Sequence, residues 1–109
     1  AGIRNGTVVS GIGTLDHCIM HMVVPGGQTI QEWHDTPLEV VGMQGIIADG
    51  KPHIHLSVST KQAGVSGHPH EGCRVQYLIE VVILEFLGLK LTRLPRAPHG
   101  IEVLCEKPD

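Results

Sequence analysis

Two histidines, His53 and His55, stand two residues apart in the run Pro52–Thr60 (PHIHLSVST), and two more, His68 and His70, follow in a glycine-rich stretch. Imidazole is the commonest metal-ligating side chain. In an extended chain, residues i and i+2 share a face with Cα atoms about 6.6 Å apart. Two rings at that spacing can converge on one ion at Zn–N distances of about 2.0–2.1 Å. On a helix the same spacing sends them to nearly opposite sides. Gly64, Gly67 and Gly72 allow the next segment to fold tightly back across the strand. That return makes His53, His55 and His68 a candidate three-nitrogen site for zinc or another divalent transition metal, completed by water or a carboxylate. His70 is an additional ligand or a group that supports one.

Three histidines with an open fourth position lower the pKa of a bound water. Glu71 and Glu39 are then candidate general bases for a metal-dependent enzyme acting on a small substrate. The plainer alternative is that the histidines form the solvated face of an amphipathic strand, for which His-x-His-x-Ser-x-Ser would serve. Cys73 reads as a small buried residue rather than a ligand. A cupin-type site would place a Glu shortly after the histidine pair, where this chain has Val58 and Ser59.

Other signals are weaker. Gly11-Ile12-Gly13 follows an apolar run as in a dinucleotide loop, but Asp16 occupies the third glycine position and no helix pattern follows to bind a phosphate. No serine lies in a nucleophile-elbow pattern. His17 and His21 share a strand face without a visible third partner and read as structural. Trp33 and His34 line a pocket or cover the core. Glu39, Glu80 and Glu85 interrupt apolar runs and read as outward-facing or subunit-paired.

The elements that must position these residues are strands. Val, Ile and Leu number 12, 10 and 10, whereas Phe, Trp and Tyr occur once each, so the core is aliphatic. The β-branched excess, 14 Gly and 7 Pro favour short strands and turns. Thr7–Leu15 and His17–Val24 read as two strands joined near Asp16, followed by a Pro25-Gly26-Gly27 turn and a polar loop or edge piece up to Pro37. Leu38–Ala48 reads as a strand bulged at Gly42 or Gly45. Asp49-Gly50 is the strongest hairpin signal. In Pro52–Thr60, Ile54, Leu56 and Val58 alternate with polar residues, as in a half-buried strand. Lys61–Gly72 reads as loop and Val75–Phe86 as strand, with end pieces at Leu89–Arg93 and Ile101–Cys105.

At 109 residues the chain fits one domain, 1–109. No stretch approaches the roughly 20 apolar residues of a membrane helix. The start lacks the basic and apolar regions of a signal peptide, and three widely spaced cysteines point to a reducing, cytoplasmic setting. The net charge of −3, with scattered Lys and Arg, argues against strong direct DNA binding.

Taken in order, G-I-G-T-L (Gly11–Leu15), P-L-E-V-V-G-M-Q-G (Pro37–Gly45), G-K-P-H-I-H-L-S-V (Gly50–Val58), S-G-H-P-H-E-G (Ser66–Gly72) and E-V-V-I-L (Glu80–Leu84) resemble the plants-and-prokaryotes conserved (PPC) domain. The likeness spans roughly Gly6 to Arg93, and the P-H-x-H-x-S run with the following G-H is its most specific element. It implies an α+β domain with a mainly antiparallel sheet and little helix, assembling as a homotrimer. It also implies a metal, zinc foremost, on His53, His55 and His68. Plant members follow AT-hook motifs in nuclear DNA-binding proteins, where the domain serves oligomerisation and partner binding. Stand-alone prokaryotic members are often labelled DNA-binding by that association. This chain departs in three ways: Leu94-Pro95-Arg96-Ala97 supplies no AT-hook core for the minor groove, the family's usual opening strand and helix are missing or trimmed, and His70 replaces an apolar position. The expectation is a metal-binding, binding or regulatory module with self, a protein or a small molecule as partner.

Overall fold

The computed structural model describes residues 2–108, apart from the side chain of Val23. Seven strands run in chain order: β1 (Gly6–Val24), β2 (Gly27–Ala48), β3 (Lys51–Ser59), β4 (Gly64–Pro69), β5 (Arg74–Glu85), β6 (Leu91–Arg96) and β7 (Ile101–Glu106). The expected antiparallel sheet is there: every pairing is antiparallel. The expected α+β class is corrected, because the described residues contain no helix. Each apolar segment is rich in β-branched residues, and each is taken up by a ladder.

β1 pairs with β2, β2 with β3, β3 with β4, and β4 returns to β1, so the pairings close into a ring with β5 added along β1. β6 and β7 form a separate hairpin. Inside lie Leu15, Cys18 and Met20 from β1, Leu38 and Val40 from β2, and Leu56 and Val58 from β3. The aliphatic interior and the period-two pattern of β3 are thus as the sequence implies. Asp49 and Gly50 both adopt positive φ, 51° and 74°, and join Ala48 to its partner Lys51 in a two-residue turn.

Two segments differ from expectation, and one of two open readings is decided for a third. The two strands anticipated around Asp16 are one strand, whose register merely shifts between Leu15 and His17. The polar stretch up to Pro37, read as loop or edge piece, is an edge strand, pairing Gly27 with Val24 through His34 with His17 around a turn where Gly26 has φ 85°. Main-chain pairing in a hairpin needs no apolar face, which is why hydropathy left loop and edge strand both open. The stretch 61–72 contains β4, because glycines that suggested loop also fit a short strand held by main-chain hydrogen bonds between β3 and β1. The bulge in β2 falls between Val40 and Gly42.

Candidate metal centre

Register decides which residues meet. β2 sets Gln44 beside His55, β3 sets Leu56 beside Gly67, and β1 sets His21 beside His68. Continuing the β3–β4 ladder one residue brings His55 level with His68. A row Gln44–His55–His68–His21 therefore crosses four strands on the face opposite the aliphatic core, with His53 one step along β3.

Ligand atoms of His53, His55 and His68 all lie within 4.8 Å of one another. Ring centroids are 5.2 Å apart for His53–His55, 5.3 Å for His53–His68 and 5.4 Å for His55–His68. Three nitrogens around a tetrahedral ion sit about 3.4 Å from each other, so small side-chain rotations complete the approach. Among the described residues no side-chain hydrogen bond engages the ring nitrogens of these three histidines. Their lone pairs are unspent. Burial, then the neighbouring His55 and the Arg93 guanidinium, holds the His53 pKa below its ordinary value. Burial, then His21, His53, His55 and His70, does the same for His68. Lowered basicity keeps the His53 and His68 imidazoles neutral, which is the ligating form. Donor set, spacing and protonation all fit a borderline cation such as Zn²⁺.

His21 is the residue that sequence reasoning missed. Its ring stacks on His68 at 4.5 Å and meets His70 edge-on at 5.6 Å, and its Nδ1 is buried without a hydrogen-bond partner. Only the β1–β4 pairing could have revealed it, and that pairing depends on a strand concealed in a glycine-rich stretch. His70 stands beside His21, with Nδ1 3.4 Å from the Glu71 carbonyl oxygen. Glu71 and Glu39 do not line the histidine cleft; Glu39 lines another groove with Thr14, Ser59 and Tyr77.

The other early histidine, His17, belongs to an ionic cluster at the β1 irregularity. The Arg74 guanidinium donates to both Asp16 oxygens at 2.7 and 3.0 Å and to Asp35 at 3.3 Å, and holds the Asp16 carboxyl below its usual range. His17 Nδ1 lies 3.5 Å from Asp16 and accepts from the Asp35 N–H. Cys18 and Cys73 are free, and burial beside Cys73 pushes the Cys18 thiol up to about 12.

A ring of antiparallel strands with three unspent imidazoles on one face defines the class. Residues 1–87 match the family described as the Plants and Prokaryotes Conserved (PCC) domain, and the chain belongs to that family. The β6–β7 hairpin lies beyond the matched region. A hypothetical protein from Salmonella enterica superposes with a TM-score of 0.82 at 25% identity, over 96% of this chain and 75% of that one. A protein from Archaeoglobus fulgidus, named as metal-containing, superposes with a TM-score of 0.78 at 22% identity, over 96% and 76%. In sequence, 107 residues are 26% identical to the bifunctional protein GlmU of a Synechococcus strain; they are 96% of this chain and 17% of that protein's length.

Proposed function

We propose that this domain holds one divalent transition metal, zinc foremost, on His53, His55 and His68, and works as a homotrimeric binding or regulatory module in a reducing, cytoplasmic setting. The observation that carries the metal is the convergence of three hydrogen-bond-free imidazoles from two strands. The metal-containing name of the Archaeoglobus neighbour agrees with it. When bound, such an ion supplies a Lewis-acid centre with room for an outside ligand. The chain's own part is to aim three rings at one point, with the His21 ring stacked against His68 to fix its orientation.

Self-association is supported by surface. The described chain exposes 7531 Å², whereas a compact monomer of its mass exposes about 5,900 Å². Much of the apolar part lies on β5 and the facing part of β1, including Val9, Ile12, Leu78, Val82 and Leu84. β5 is also an edge strand with an unpaired side. The number three comes from the family likeness.

The second reading, an enzyme working through a water activated at the three histidines, is favoured by the open cleft beside them. It lacks a carboxylate in that cleft to act as base. Equilibrium dialysis against zinc tests the metal: about one ion per chain supports the proposal, and none overturns it. With a net charge of −3, duplex DNA should show no salt-sensitive binding.

A further inference from the structure

We propose that the cleft beside the three histidines is a binding site for a small hydroxycarboxylate, its carboxylate at the histidine end and its hydroxyl on the Ser57–Ser66 pair; this rests on the metal reading above. The ladders that build the histidine row also build the next one. Gly42 pairs with Ser57, and Ser57 with Ser66, so a second row, Gly42–Ser57–Ser66, crosses three strands one side-chain repeat away. That repeat is about 6.6 Å. A chain of roughly four carbons spans it.

The two serine hydroxyls are 2.9 Å apart. One donates to the other, which leaves the pair one O–H and free lone pairs for a ligand. Gln44, in the histidine row, adds an amide to the lining. Gly42 supplies room: a Cβ there would meet only the Ser57 Cβ, at 3.9 Å, and its backbone is not left-handed. The cavity measures about 620 Å³, within the range of small-molecule sites. Met22, Met43 and Leu56 give it an apolar wall for a carbon chain.

Charge selects the ligand class. The cleft lining contains no Asp, Glu, Lys or Arg. Imidazole ligands bind a metal in their uncharged form, so they leave the double charge of a bound cation uncompensated. An anionic oxygen donor from outside balances it. A carboxylate does so without the side-chain cations that a phosphate site would add.

The test uses the full chain loaded with Co²⁺, whose visible absorption reports the coordination sphere. The probes are 4-hydroxybutyrate and butyrate, which differ by the hydroxyl alone. The expected result is saturable spectral change with both, and about five-fold tighter binding of the hydroxy acid, the size of one net hydrogen bond. The Ser57→Ala/Ser66→Ala double variant should erase that preference with cobalt stoichiometry unchanged. Gly42→Val should weaken both acids by filling the floor. Equal binding of the two acids, a preference that survives the double variant, or no spectral response from cobalt-loaded protein overturns this proposal alone. Failure of cobalt to load at all overturns the metal reading and this one with it.

Discussion

The five histidines in and around the row are not equivalent, and single substitutions should separate them. His53→Ala, His55→Ala or His68→Ala each removes one of three ligands, and zinc content should fall from about one per chain to a small fraction by elemental analysis. His70→Ala should leave it near one, because His70 stands behind His21. His21→Ala should keep the stoichiometry yet weaken zinc about tenfold in a competition titration, as expected for a group that orients a ligand. Cys18 is fully buried and its thiol is pushed up to about 12. Iodoacetamide at mildly alkaline pH should therefore label Cys105 and Cys73 and spare Cys18 until the protein unfolds, read by peptide mass spectrometry. At this scale the sequence was informative where spacing alone decides geometry. His53 and His55 needed only a strand beneath them. His21 lies 47 positions from His68 and could be found only once the register was known.

Among the elements, β3 and β4 carry the three ligands and β2 holds β3 in register, and two glycines on β2 make opposite predictions. A Cβ on Gly45 would sit 2.2 Å from the His53 carbonyl oxygen and 2.7 Å from the Ile54 Cα, both backbone atoms. Gly45→Ala must push β3 away, so it should cost at least about 2 kcal/mol by urea denaturation and loosen zinc as well, since His53 moves with its strand. Gly42→Ala meets open space and should change stability by less than about 1 kcal/mol. A stabilised Gly45→Ala variant with full zinc affinity would contradict the register. Leu38, 2% exposed in the core, should cost about 3 kcal/mol as alanine. The core strands were legible because Leu56 and Val58 alternate with serines and Leu38 and Val40 open a long apolar run. The β2 half of the ribbon and β4 were less so. Their residues are polar or glycine-rich, and what holds them is largely main-chain hydrogen bonding.

For the whole molecule, shape argues as strongly as surface. The chain measures 48 × 36 × 18 Å with a radius of gyration of 15.4 Å, against about 13 Å for a compact domain of this length. A flat body with an apolar edge strand fits one unit of a larger assembly. Light scattering should give three times the chain mass of 11.7 kDa. Val82→Asp with Leu84→Asp, which charges the exposed apolar part of β5, should bring it down to one. The helix expectation came from the family likeness alone, whereas the β-branched composition had favoured strands and turns, which is what the described residues form. The central claim is the metal itself, and the most direct measurement is zinc per chain in wild type and in His55→Ala, after zinc is supplied and excess removed by dialysis. This account predicts about one ion in the first and close to none in the second. A wild-type protein that stays empty, or a His55→Ala variant that fills equally well, would contradict it.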